Sequence, residues 1–155
     1  SRIKSVDSLQ AKAGRLGLPL QLDAIGEEIV DIAGIRIVCS FISDAYRVLD
    51  MLTTQPDVTV RTIKDYIARP KENGYRSLHA IVEIPVYLSD ATHRIPVELQ
   101  IRTVAMDFWA SVEHKIYYKY AKDIPGELLD ELTAAARVAH DLDERMAELH
   151  RVVHG

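Results

Sequence analysis

Between Tyr66 and His79 the sequence reads Tyr-Ile-Ala-Arg69-Pro70-Lys71-Glu72-Asn73-Gly74-Tyr75-Arg76-Ser77-Leu78-His79. This stretch gathers cations, an amide, an aromatic ring and a titratable imidazole. A flat ligand with negative charge suits that set: Tyr75 can stack, Asn73 can read an edge, and Lys71, Arg76 and His79 can meet phosphate. Pro70 turns Arg69 away from helix, and Asn73-Gly74 is a turn signal because both residues tolerate positive φ. The stretch is therefore expected to be a loop feeding a strand.

Two carboxylates lie elsewhere in positions that could serve the same chemistry. Asp31 stands just before an apolar run, three residues ahead of Gly34. It could hold a metal there, and it could equally cap a helix or close a turn. Glu98 alternates with Val97 and Leu99, so it shares a strand face with Gln100 and Arg102. Polar groups on such a strand need partners or a wet face, and both readings stay open. One carboxylate holding a metal and a second acting as base would suffice for phosphoryl or pyrophosphoryl transfer. Mg²⁺ fits, since it takes one or two carboxylates and lets substrate phosphates complete its shell.

The elements that must position these residues can be read from periodicity. Ser8 or Asp7 could cap a helix over residues 8–16 that ends at Gly17 and Pro19, and residues 18–30 read as a connection with a short helix. Arg2 and Lys4 read, on local evidence, as a solvated terminus. The β-branched run at 35–41 predicts a central strand, in which Cys39 would be buried. Ser43 and Asp44 start a helix to Thr53 with Ala45, Val48, Leu49 and Leu52 inward. Strands are expected at 58–63, 80–88 and 93–102, the last two forming a hairpin across the turn 89–92. A helix follows over 104–120. Its Glu113-His114 pair lacks zinc-protease spacing, so no zinc site is drawn there. From Glu127 to His154 there is neither Gly nor Pro. Leu128, Leu132, Ala135, Ala139, Leu142, Met146, Leu149 and Val153 give a 3.5-residue seam on a helix ~42 Å long. That seam should pack lengthwise on another helix, within the chain or between subunits.

At 155 residues the chain is of single-domain length. One cysteine excludes an internal disulfide or a cysteine-cluster metal site. No apolar run reaches the ~20 residues that span a bilayer, and the N-terminus carries no signal-peptide pattern, so the cytoplasm is the expected compartment. The net charge of −4 is uneven. Residues 1–20 and 60–80 are each locally basic, whereas 123–155 is acidic. Basic segments in an acidic chain favour a small anionic ligand over a long polyanion, so RNA or DNA binding is not expected.

Three segments together, Asp31-Ile-Ala-Gly34-Ile-Arg36, Tyr66 to His79, and Val97-Glu98-Leu99-Gln100-Ile101-Arg102-Thr103, closely resemble the synthetase domain of RelA/SpoT-type (p)ppGpp synthetases. With Met106 to Lys115 added, the chain looks most like the single-domain small alarmone synthetases. The resemblance runs from Arg2 to about Tyr120. It implies an α+β fold with a mixed sheet flanked by helices, related to the nucleotidyltransferases. The catalytic domain would be residues 1–122, with 123–155 a C-terminal helix for packing or oligomerisation.

The implied reaction transfers the β,γ-pyrophosphate of ATP to the 3′-hydroxyl of GDP or GTP. By the resemblance, Asp31 would hold Mg²⁺, and Glu98 would bind the metal or deprotonate the hydroxyl. Arg2 and Arg36 would sandwich adenine, while Lys4 and Ser8 would meet ATP phosphates. Tyr75 would stack on guanine near Asn73. Lys64, Lys71 and His79 would contact phosphates, and Gln100 would orient the acceptor ribose. A homo-dimer or homo-tetramer is expected. Two departures stand out: the helical sequence that members usually carry ahead of Arg2 is missing, and the Arg-x-Lys-Asp pattern appears as Thr62-Ile63-Lys64-Asp65 with Arg61 displaced by one place. The second leaves the preference among GDP, GTP and GMP open. The competing readings are a non-catalytic nucleotide- or RNA-binding regulator and an assembly protein centred on the C-terminal helix. Intact Asp31 and Glu98 count against the regulator.

Overall fold

The computed structural model describes the backbone of residues 21–24 and residues 33–155 in full. The expected helix over 8–16, and Arg2, Lys4, Ser8 and Asp31, lie outside the described residues. The elements in chain order are β1 (Gln21–Ala24), β2 (Ala33–Cys39), α1 (Ile42–Thr53), β3 (Thr59–Asp65), β4 (Leu78–Tyr87), β5 (Thr92–Thr103), α2 (Val104–Lys119) and α3 (Gly126–His154). The strands form one mixed sheet in the order β1-β2-β5-β4-β3. β5 pairs parallel with β2 and antiparallel with β4, and the other pairings are antiparallel. The α+β class and the long C-terminal helix are those expected.

Period-two alternation divides the sheet into two faces. Leu78, Ala80, Val82 and Ile84 of β4 and Val97, Leu99 and Ile101 of β5 are buried with Ile35 and Ile37 of β2. They pack against Ala45, Val48, Leu49 and Leu52, the face of α1 that the sequence indicates. Burying each Val, Leu or Ile of this set contributes about 1.5–3 kcal/mol, enough to fix register, since a one-residue slip would send the set to the opposite face. His79, Glu98, Gln100 and Arg36 are thereby committed to the other side.

Three local expectations need correction. Residues 21–24, read as part of a connection, form an edge strand; four residues are too few to display a period. Ser43 and Asp44 do not cap α1, which starts at Ile42 behind Phe41 without a side-chain cap, while Asp44 pairs with Arg47 at 3.1 Å. Cys39 is only half-buried, at the margin of the core.

The face that α3 buries is also not the whole of the expected seam. Its buried residues are Leu132, Ala136 and Asp143, while Leu142, Met146, Leu149 and Val153 are exposed. The inward face is set by what α3 must touch. Leu132 and Ala136 pack with Trp109 and Ala110 of α2, and the Trp109 indole N–H donates to Leu132 O at 2.8 Å. Thr103, the N-cap of α2, accepts from Met106 N at 3.2 Å and donates to Asp143 Oδ2 at 2.7 Å. Burial pushes the Asp143 carboxyl up, and the Thr103 hydroxyl supplies the donor that such a group requires.

Ala136 also reaches the loop between β3 and β4. Gly74 has φ +97°, and a Cβ there would lie 2.4 Å from Ala136 Cβ. Two independent restraints thus make residue 74 glycine: the left-handed backbone, which costs other residues roughly 1–2 kcal/mol, and the approach of α3. Gly74→Ala is expected to lower the denaturant midpoint by more than the backbone cost alone. Ala136→Gly in that background should return the steric part. Strictly additive losses in this double-mutant cycle would show that the loop does not press on α3.

Candidate active site

Register partners in neighbouring strands point to the same face, so the ladder itself assembles the site. Arg36 lies opposite Gln100, Gln100 opposite His79, and His79 opposite Lys64. Four residues separated by up to 64 positions in sequence therefore form a single lateral row across β2, β5, β4 and β3. The next row holds Gly34, Glu98, Ile81 and Thr62. Glu98 meets His79 diagonally, with Nδ1 4.0 Å from Oε1. Gly34 beside Glu98 brings no side chain into that space.

The loop closes over one end of the row. Gly74 N donates to Lys71 O at 2.8 Å and Lys71 N to Tyr75 O at 3.0 Å. Asn73 Oδ1 accepts from Tyr75 N at 3.0 Å, the local bond that suits asparagine to turns. Arg76 Nη1 donates to Ile67 O at 2.6 Å and braces the loop from within. Asp65 fixes the loop entrance, its Oδ1 accepting from Ile67 N and Ala68 N, both at 2.9 Å. Its Oδ2 accepts from Tyr46 of α1 at 2.7 Å. Burial and that hydrogen bond push the Tyr46 phenol up to about 12.

Tyr75 stands at the centre of an aromatic group. Tyr66 presents an edge contact to Tyr75 at 6.2 Å and to His79 at 5.1 Å. Trp109 lies 6.4 Å from Tyr75. Lys71 Nζ is 5.0 Å from the ring centres of both Tyr66 and Tyr75, a cation–π arrangement. Tyr75 Oη is 2.7 Å from His79 Nε2. Burial, first, and then the charges of Arg102, Lys71 and Lys64 depress His79 to about 4, so its ring is neutral at pH 7.

Arg102 ties these parts together. It is buried, and its guanidinium donates to Tyr75 Oη at 2.9 Å, Gln100 Oε1 at 2.8 Å and Asp107 Oδ1 at 3.1 Å. Asp107 also draws Arg36, Nη1 to Oδ1 3.7 Å. Arg102, Tyr66 and Asp107 were not singled out as site residues from sequence. The signal for Arg102 was present: alternation places it on one face with Glu98 and Gln100.

The displaced Arg61 has a structural counterpart. The β3–β4 register shifts between Val60 and Thr62, so Arg61 is the extra residue of a β-bulge. Bulges re-aim side chains, and Arg61 Nε pairs with Glu83 Oε1 at 3.2 Å. Glu83 alternates with His79 and Ile81, so Arg61 is drawn toward the site face.

Among the described residues, then, Arg36, Lys64, Lys71, Asn73, Tyr75, His79, Glu98 and Gln100 come together on one face and its covering loop. Among the described residues no three-member cluster of His, Cys, Asp or Glu could hold a metal. A family model for the region found in RelA / SpoT proteins matches residues 1–123. The chain belongs to the RelA/SpoT family. It is 51% identical over 153 residues to the GTP pyrophosphokinase YwaC of Bacillus subtilis, covering 99% of this chain and 73% of that protein. The fold of this RelA/SpoT-family chain is similar to small alarmone synthetase 2 of the same organism, with a TM-score of 0.90 and 42% identity over 95% of this chain and 92% of that one. It is also similar to small alarmone synthetase 1 bound to its product pppGpp, with a TM-score of 0.76 and 41% identity over 97% and 76% of the two chains.

The pH dependence of folding follows from His79. A histidine depressed to about 4 in the fold and titrating at 6.5 unfolded binds more protons in the unfolded state between those values. Its contribution to stability is complete above pH 6.5 and is lost as pH falls through about 4. The difference in unfolding free energy between wild type and His79→Gln should therefore shrink from pH 7 to pH 4. A difference constant over that interval would show that the imidazole is not held neutral.

Proposed function

We propose that this chain is a (p)ppGpp synthetase that transfers the β,γ-pyrophosphate of ATP to the 3′-hydroxyl of GDP or GTP. The bond from O3′ to Pβ forms, the bridge between Pα and Pβ breaks, AMP leaves, and the hydroxyl proton passes to a base. The observation that carries this reading is the row Arg36–Gln100–His79–Lys64, because it sets cationic, amide and imidazole groups across the sheet beside Glu98. Family membership and the pppGpp bound to small alarmone synthetase 1 support it.

In this reading guanine stacks on Tyr75, whose ring already faces cationic and aromatic neighbours, with Asn73 beside it. Lys71, Lys64 and His79 take phosphates. Gln100 orients the acceptor ribose. Arg36 pairs with Arg2 around adenine, and Lys4 and Ser8 meet the ATP phosphates. Asp31 and Glu98 fit Mg²⁺: both are hard oxygen donors, and the contact of Glu98 with His79 is 4.0 Å long, which leaves the carboxylate capacity to ligate. The bound ion would offset charge on phosphate oxygens. Glu98 alternatively accepts the hydroxyl proton. The catalytic unit is residues 1–122.

Residues 123–155 complete the unit in two ways, through the inward contacts of α3 and through its outer face. Val104, Phe108 and Val112 of α2 and Val138, Leu142 and Met146 of α3 line an open apolar groove of about 870 Å³. We assign a second copy of this chain to that groove, since the exposed seam of α3 continues past it through Leu149 and Val153. Among the described residues no helix is long and apolar enough to cross a membrane.

Incubating the protein with ATP, GDP and Mg²⁺ and resolving the nucleotides is expected to give AMP and ppGpp in equal amounts, and to give neither with chelator. Absence of both products with Mg²⁺ present would overturn the assignment. Tyr75→Ala should weaken guanine-nucleotide binding by roughly 1–3 kcal/mol, the worth of base stacking, in a titration calorimeter. Light scattering should show a dimer or tetramer that Leu142→Glu dissociates, and a wild-type monomer would refute the interface.

A further inference from the structure

Arg102, Tyr75 and His79 form a hydrogen-bonded chain whose far end faces Glu98. Arg102 can only donate. Its Nη2–H therefore gives a proton to Tyr75 Oη across 2.9 Å. Tyr75 has one proton of its own, and His79 Nε2 stands 2.7 Å from the oxygen. Oη could accept from both neighbours, but among the described residues Nε2 is the one acceptor within reach of the phenol O–H, so the O–H points at Nε2 and Nε2 accepts. An imidazole whose Nε2 accepts a hydrogen bond carries its proton on Nδ1, the atom that faces Glu98 Oε1 at 4.0 Å. That gap is longer than a hydrogen bond, as catalytic contacts commonly are before substrate binds.

Arg102 is held in place by two further bonds: Nη2 also donates to Gln100 Oε1 at 2.8 Å and Nη1 to Asp107 Oδ1 at 3.1 Å, and the side chain is 7% exposed. We propose that Arg102 is a positioning residue: acting through the Tyr75 hydroxyl, it fixes His79 in the Nδ1–H tautomer and turns that N–H toward Glu98. Tyr75 then has two separable duties. Its ring meets the base, and its hydroxyl transmits direction from Arg102 to His79. The role of Glu98 in turnover rests on the function proposed above, whereas the tautomer does not.

The test uses the whole chain without substrate, then with it. Two-bond ¹H–¹⁵N correlation of the His79 ring should show Nδ1 protonated and Nε2 bare in wild type. Tyr75→Phe keeps the ring and removes the relay, so the ring should shift toward the Nε2–H form, and Arg102→Met should do the same. In turnover, Tyr75→Phe should lower kcat at least tenfold while KM for the guanine nucleotide changes less than twofold. If Arg102→Met fails to fold, Tyr75→Phe alone decides. An Nε2–H tautomer in wild type, a tautomer unchanged in Tyr75→Phe, or a raised KM with kcat intact would each overturn the inference. Wild type that gives the expected spectrum but no ppGpp would instead sink the reading of the enzyme.

Discussion

A guanidinium buried on the polar face of a sheet needs acceptors for its charge, because an unpaired buried charge costs several kcal/mol. Arg102 imposes that condition on this fold. The acceptors come from a loop (Tyr75), from its own strand (Gln100) and from the next helix (Asp107). Three segments that could move independently are thereby held at distances set by a rigid, planar fork. The aromatic group around Tyr75, the tautomer of His79 and the attachment of Arg36 to Asp107 all depend on where that fork sits.

The C-terminal helix is the second determinant of the loop. Contact between Ala136 and Gly74 limits how far the loop can lift, and the Trp109–Leu132 and Thr103–Asp143 hydrogen bonds fix the height of α3 above α2. A helix whose outer face is apolar thus has an inner face that sets the position of the loop over the candidate site. The outer face and the geometry of the candidate site share one rigid body.

Most of the residues that the sheet and loop bring together are legible in the sequence because they stand on its two most regular signals. Alternation along β5 separates Glu98 and Gln100 from Val97, Leu99 and Ile101, and a loop with Asn-Gly and proline stands out in any context. Sequence reasoning did not reach Arg102, since a charged residue on a polar strand face looks solvated until the covering loop and helix are in place. The buried face of α3 was misjudged for a related reason. A heptad seam records apolar positions, but Ala136 and Asp143 are inside because of what lies opposite them, a glycine and a threonine hydroxyl. The edge strand β1 is too short to announce itself by periodicity. The bulge at Arg61 could be suspected only as a displaced residue in a motif.

That bulge has a consequence for the behaviour of the protein in concentrated solution. β3 is an outer strand of the sheet, and it exposes Val60 and Ile63. A flat edge of this kind is a template on which other chains can add strands. An irregular ladder at Arg61, with Arg61 and Lys64 charged along the same edge, spoils that template. The residue that interrupts the register therefore also guards the sheet against edge-to-edge aggregation. A variant that deleted Arg61 to restore an even ladder would gain a smoother strand and lose colloidal stability.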